Sequence, residues 1–501
     1  MAYTGIRRRL GALALAAVTA AAGGLLATAR PAAAAPPADH VLFWNDVLLR
    51  TYRQAGGPPT TLARAGAMMH GAIYDATTSF SCEMRERGGL GCDSEPYLVR
   101  VDIPNNVNLF HVTMIDYAAV AVLRSVFPGR NFDADLTAAQ EGRTPSTGQT
   151  ESIRVGNAAA QAMLNARAND GSADNTPYSP GTNPGDWRET GSGPPASPNW
   201  GKVKPFTLTS GSQARPPLPG GFPNTAQLLA SPLYAAQVNE VKQLGRETGS
   251  TRTAEQTRIA WFWANDLDGT YKPPGQHFAH TQIVAKQRQL TEFQNSRLFA
   301  LVAIAMADAA IAAWDAKYQT PVDLWRPESA IRLADTDNNP ATTAEAGWEP
   351  LSATAAGVNF SPPFPAYVSG HATFGAAWAG VMKHFFGTDN ITFTATTEDP
   401  HAVGVTRTFN SFSAAAAEDA RSRIYLGVHF QFDADQGIAT GTRVADHVAA
   451  NYLKAAPEWD FFGPWQLEQE CQAEGDRLVA TGEYYEYFCD GYIGEWYLYI
   501  R

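Results

Sequence analysis

Residues 291–318 read TEFQNSRLFALVAIAMADAAIAAWDAKY, the strongest helical signal in the chain at about 28 residues. Its apolar run carries Asp308 at the centre, so it reads as the buried helix of a soluble protein and not as a membrane span. Nowhere after the N-terminus do 18 uncharged apolar residues follow one another. Helical patterns flank this run on both sides. Upstream they are 41–55, 61–80, 112–127, 147–169, 231–245 and 253–266. Downstream they follow Pro327 and Ser369 and recur around 413–426 and 434–453. Strand-like alternation is scarce before residue 455, and no sequence repeat recurs at a fixed period. The chain therefore reads as all-α, built from helical bundles. The expected organisation is a helical region over 36–230, a second helical bundle over 231–456 and a tail over 457–501. Residues 170–222, rich in Gly, Pro, Ser and Asn, read as a long surface excursion.

The chain has 501 residues and is 45% hydrophobic, enough for a large core. Residues 1–35 have a basic start, an apolar middle and small residues before a cut near Ala33–Ala35, the pattern of a secretion signal. The alternative is a membrane anchor; Arg7, Arg8 and Arg9 leave the twin-arginine route open. The segment holds four arginines and no acid, so its removal takes the net charge from −11 to −15. Such a balance disfavours nucleic acid and anionic membranes as partners. Cys82, Cys92, Cys471 and Cys489 fall in two local pairs, and a secreted chain makes disulfides 82–92 and 471–489 the economical pairing. The acidic, aromatic tail reads either as a flap on the bundle or as a small β-hairpin appendage.

Three helix boundaries concentrate chemistry. In PAYVSGH (365–371), Ser369 is a good N-cap, and Gly370 and His371 open the helix. Their N–H groups lack intrahelical acceptors and the helix dipole is positive there, so an anion is the natural occupant. In LWRPESAIR (324–332), Pro327 sits at the first helical position with Arg326 at the mouth, and Lys317 closes the long helix upstream. In SRIYLGVHFQFDADQG (422–437), Gly427 should end the helix that carries Arg423, which lets Arg423 and His429 face one site. Three cations, two histidines and a helix start make a site for a tetrahedral oxyanion.

Lys317, Arg326-Pro327, Ser369-Gly370-His371 and Arg423-x5-His429 resemble the three-part signature of vanadium-dependent haloperoxidases and type 2 phosphatidic-acid-phosphatase-like acid phosphatases. The closer likeness is to the fungal and secreted bacterial haloperoxidases. It is carried by PPFPAYVSGHATFG (362–375), SRIYLGVHFQFDA (422–434), WNDVLLR (44–50), WFWANDLDGTY (261–271) and 297–317. The resemblance spans roughly residues 40–80 and 255–453 and implies two helical bundles. It implies vanadate as cofactor, held by Lys317, Arg326, Ser369, Gly370 and Arg423, with His429 as the protein ligand to the metal. His371 would be the acid–base group, Asp266 would orient it, and Trp314 and Phe364 would lie near the halide. Catalytic roles thus fall on His371, Asp266 and Lys317. The implied activity is oxidation of bromide, and of chloride where Phe364 permits, by hydrogen peroxide to hypohalous acid.

Eight residues separate Lys317 from Arg326, where the family usually has six. The expectation is an outward bulge at Pro321 that leaves Lys317 at the site. Two other functions compete: a secreted acid phosphatase with His429 as nucleophile, and a binding protein with a relic site. Of the remaining histidines, His70 and His111 read as core or surface, and His277 and His280 as candidates for the entrance. The runs 335–339 and 433–437 read as caps and turns, not calcium loops.

Overall fold

The central run forms the helix Glu292–Tyr318, opened by a capping box in which Thr291 and Gln294 exchange bonds. Its most apolar 18 residues are wholly buried, because it packs against the helices Pro59–Arg87, Gly370–Phe386 and Gln431–Asn451. A helix that is apolar all round has no face to give to water and so becomes the core about which others pack. The computed structural model describes residues 37–88, 92, 95–454, 460–482, 484, 487–492 and 495–500. The expected signal segment lies outside the described residues. Residues Pro36–Arg501 form one compact unit.

Among the described residues the fold is helical, with fifteen α-helices and two small antiparallel sheets. One sheet is a hairpin of Phe393–Thr396 and Thr406–Phe409, too short to register as alternation in the sequence. The loop it carries clamps the turn after Phe262. Asn265, at φ +40°, receives the Glu398 N–H on its side-chain oxygen and donates to Thr397, while its own N–H bonds Asp399.

The helices Gly370–Phe386 and Gln431–Asn451 meet almost backbone to backbone. A Cβ at Gly441 would stand 2.3 Å from the Thr373 carbonyl, and one at Gly437 would stand 2.8 Å from the Ser369 carbonyl. Only glycine fits, and the close approach fixes the Ser369 helix start against the His429–Asp433 segment.

Of residues 170–222, expected as a surface excursion, 171–198 run mostly over the surface, while the stretch from 199 to 214 turns inward. Trp187, Trp200, Phe206 and Leu208 are buried. At 206–208 the cause is Asp308: its carboxylate, enclosed within the central helix, accepts the N–H groups of Phe206, Thr207 and Leu208 and the Thr207 hydroxyl. A buried charge is tolerable only when donors surround it, and here a loop of low complexity supplies them. Asp75 does the same for Tyr97, Leu98 and Val99. Both expected disulfides, Cys82–Cys92 and Cys471–Cys489, are formed. The tail is a three-stranded sheet, in order Asp460–Trp465, Glu495–Ile500, Tyr487–Tyr492, with the helix Glu468–Val479. Cys471, Leu498 and Ile500 form its own small core.

Candidate active site

Two of the three helix boundaries line one pocket, and Arg326 of the third reaches it through His429 Nε2, 3.0 Å from its Nη1. Asp266, Trp314, Phe364, Gly370, His371, Arg423 and His429 line it, with Pro59, Pro273, Pro362 and Phe374 at its sides. Ser369 caps the helix Gly370–Phe386, and the Gly370 and His371 N–H groups stand at its open end. The Ser369 N–H is itself bonded to the Asp433 carbonyl at 3.0 Å, which ties two of the boundaries together.

The chain leaves the helix Phe412–Tyr425 where Gly427, at φ +82°, reverses it. His429 follows, fully buried. Its Nδ1 lies 3.0 Å from Asp433 Oδ2, which also accepts the Phe430 N–H. Its Nε2 lies 3.0 Å from Arg326 Nη1. A guanidinium can only donate, so Nε2 carries the lone pair and Nδ1 the proton. Burial, then the charges of Arg326, Lys317 and Arg423, hold His429 well below its usual range and so neutral. Asp433 thus sets the tautomer; burial pushes its own carboxyl up to about 7.

Arg326 is anchored by Nε to the Phe364 carbonyl and by Nη1 to the Val428 carbonyl, both at 2.7 Å. Arg423 donates from Nη2 to Asp266 Oδ2 at 2.7 Å. Each arginine keeps one buried donor without a partner among the described residues: Nη2 of Arg326 and Nε of Arg423. Buried unpaired donors are rare in folded proteins, and two beside one pocket are what an anion would satisfy.

Lys317 is inside the protein, and the chain beyond it runs outward through exposed Pro321. Its Nζ donates to the carbonyls of Pro365 at 2.7 Å, Ala366 at 3.2 Å and Val368 at 2.5 Å. Three acceptors require the three protons of the ammonium form, although burial and then Arg326 push its pKa well down. The lysine therefore supports the loop that delivers Ser369, and it does not line the pocket.

The orientation expected of Asp266 is supplied by another group. His371 Nε2 bonds the Ala264 carbonyl at 3.1 Å, whereas Asp266 Oδ1 is 3.8 Å away, in ion-pair range only. A carbonyl accepts, so Nε2 carries the proton and Nδ1 is left for exchange. Burial and then Arg423 press His371 below its ordinary range, and Asp266 and Asp419 oppose them. For Asp266, burial would raise the pKa, but His371, Arg423 and Lys272 outweigh it and hold the carboxylate low.

Trp314 and Phe364 stand 5.0 Å apart between ring centres. The Lys317 ammonium is 4.9 Å from the Phe364 ring centre and the Arg326 guanidinium 4.7 Å, so this ring lies against two cations. His277 and His280 are not at the entrance; both are buried beside Trp263 and Trp378. The groups absent from the sequence-derived set are Asp433 and the Ala264 carbonyl. Asp433 was visible as a cap four residues after His429; a carbonyl carries no residue identity and leaves no trace in a sequence.

Residues 297–456, which carry the cationic pocket's helix boundaries, match the VCPO second helical-bundle domain. The chain is similar to vanadium-dependent haloperoxidases. It is 28% identical over 491 residues to the vanadium chloroperoxidase of Curvularia inaequalis, covering 79% of each chain. Its fold is similar to that of a bacterial vanadium-dependent iodoperoxidase, with a TM-score of 0.67, 22% identity and coverage of 83% of this chain and 97% of that one. It is also similar to a bacterial vanadium-dependent chloroperoxidase, with a TM-score of 0.59, 18% identity and coverage of 78% and 91%.

Proposed function

We propose that this protein is a secreted vanadium-dependent haloperoxidase that uses hydrogen peroxide to oxidise halide to hypohalous acid. The observation that carries the reading is the pair of unpartnered buried donors, Arg326 Nη2 and Arg423 Nε, beside the lone pair of His429 Nε2. Vanadate fits this donor set: anionic oxygens match the free Arg326 Nη2 and Arg423 Nε donors and the Gly370 and His371 N–H groups, and the His429 Nε2 lone pair, exchanged from Arg326 Nη1, suits the metal. Bound there, vanadate supplies Lewis-acid activation of peroxide toward a halide.

The protein's own part is positional and electrostatic. Arg326 and Arg423 are aimed for negative charge by their other nitrogens, Arg326 on the Phe364 and Val428 carbonyls and Arg423 on Asp266. His371, neutral and with Nε2 fixed on the Ala264 carbonyl, takes or returns a proton at Nδ1. Trp314 and Phe364 keep water from the halide side and lower the local dielectric, which strengthens the pull of the cations. Asp433 keeps the His429 lone pair directed away from itself by holding the Nδ1 proton.

The test is bromide-dependent peroxidase activity on adding orthovanadate to the purified protein, with inorganic phosphate competing. Hydrolysis of p-nitrophenyl phosphate without bromide oxidation under vanadate and peroxide would assign the site to the acid phosphatases, with His429 as nucleophile. The secretion reading is tested by finding the mature N-terminus near residue 36 in culture medium.

A further inference from the structure

A second cavity shares walls with the pocket. It is a groove of about 770 Å³, the size of a small-molecule site, formed where the helices His40–Ala55, His111–Val126 and Thr147–Arg167 end and Pro59–Arg87 begins. Pro59 lines the pocket and Thr61 and Leu62 line the groove, on one helical turn whose Cα atoms two residues apart stand about 5 Å from each other. The segment 196–200 is the other shared wall. Its Ala196 carbonyl accepts Trp314 Nε1 at 3.1 Å, its Ser197 hydroxyl meets that of Thr60 at 2.9 Å, and its Trp200 lines the groove.

The groove is apolar with one charged anchor. Leu62, Met68 and Trp200, all buried, and Phe127 and Leu164, half-buried, supply the apolar lining. Arg64 and Arg167 are the charged residues of the lining, and none of its residues is acidic. The buried Asp170 serves both: its Oδ2 accepts Arg64 Nε at 2.7 Å and Arg167 Nε at 2.9 Å. Arg167 spends its other nitrogens on the Pro205 and Lys204 carbonyls, and Arg64 donates Nη2 to the Arg167 carbonyl at 2.9 Å. Only Nη1 of Arg64 then lacks a partner among the described residues, on a side chain that is 18% exposed. Two guanidinium groups against one carboxylate leave a positive charge, and the free N–H is held by the bonds of its neighbours. The ligand that satisfies both the aromatic and aliphatic wall and this donor is a flat ring carrying one anionic oxygen group.

We propose that this groove binds an aromatic organic anion, a carboxylate or phenolate, and that this anion accepts the halogen. Hypohalous acid leaving the adjoining pocket meets the bound ring: a carbon–halogen bond replaces a carbon–hydrogen bond, and the displaced proton leaves with the hydroxide as water. The acceptor role rests on the haloperoxidase reading; the binding does not, and its test needs neither vanadate nor turnover. 2-Naphthoate is titrated calorimetrically into the full vanadate-free protein at constant ionic strength, with neutral 2-naphthylmethanol as its comparison. Saturable binding of the naphthoate with Kd below about 1 mM is expected, with the alcohol about tenfold weaker and inorganic phosphate without effect. Arg64→Gln should bring the naphthoate to the level of the alcohol, and Gln161→Trp, at an exposed lining position, should abolish binding of both. No saturation by the naphthoate, or its displacement by phosphate into the reading of a pocket ligand, overturns the proposal. So does unchanged affinity in a folded Arg64→Gln protein; if that variant does not fold, unchanged affinity in Gln161→Trp does so alone. Binding as expected with no bromide oxidation would refute the haloperoxidase reading and leave the groove assigned.

Discussion

Replacing Lys317 by methionine separates two roles for the lysine. If the ammonium served only to bind an anion, Lys317→Met would weaken that binding and leave the empty protein as stable as before. The geometry gives another outcome. All three protons of Nζ are donated to the carbonyls of Pro365, Ala366 and Val368, which lie in the loop leading to Ser369. Methionine fills similar volume and donates nothing. Three buried carbonyls then lose their partner at about 1–3 kcal/mol each. Against this stands the relief of no longer burying an ammonium, worth several kcal/mol. The net expectation is a loss of about 3 kcal/mol without any vanadate present. For a chain of this size the entropy of unfolding is about 1 kcal/mol per degree, so Tm should fall by about 3 °C. Urea unfolding of vanadate-free wild type and variant measures the difference. Equal stability, together with a hundredfold loss of vanadate affinity, would refute the argument and return Lys317 to direct contact with the anion.

Asp433→Ala releases the His429 tautomer and is expected to weaken vanadate binding about 10–100-fold by calorimetry, while His429→Ala abolishes it and His371→Ala retains it but loses most turnover. Unchanged affinity in Asp433→Ala would contradict the assignment of the Nε2 lone pair. Phe364→His places a polar ring beside the Lys317 and Arg326 cations and should lower the ratio of chloride to bromide oxidation, read by monochlorodimedone chlorination at equal vanadate occupancy; an unchanged ratio would remove Phe364 from halide selection. His70, beside Phe278 and Phe299 and with both ring nitrogens unpartnered among the described residues, is lowered by burial to about 3. The unfolded chain binds this proton near pH 6.5 and the folded one does not, so stability should fall as pH drops from about 6.5 toward 3. His70→Phe should remove about 2 kcal/mol of the loss between pH 6.5 and 5, and urea unfolding at both pH values checks it.

The helical architecture was legible because its signals are short-range. The 291–318 run, the Ser369 cap, Pro327 at a first helical position and Gly427 at a helix end each depend on residues a few positions apart. These signals also placed Arg326, His371, Arg423 and His429 at helix boundaries before any packing was known. The inward turn at 206–208, inside a segment that otherwise runs largely over the surface, was not legible for the opposite reason: its burial depends on Asp308, about a hundred residues away, and not on its own composition.

The sequence by itself determined where helices begin and end, and which side chains stand at those boundaries. Caps, periodicity and glycine conformations are properties of neighbouring residues. Only the tertiary structure decided what those side chains touch: carbonyls for Lys317, the Ala264 oxygen for His371, and a core position instead of an entrance for His277 and His280. These partners come from segments far apart in the chain, and many are backbone carbonyls that every residue type carries. Which carbonyl meets which donor is set by how closely helices pack, down to the single glycine that lets one backbone reach another.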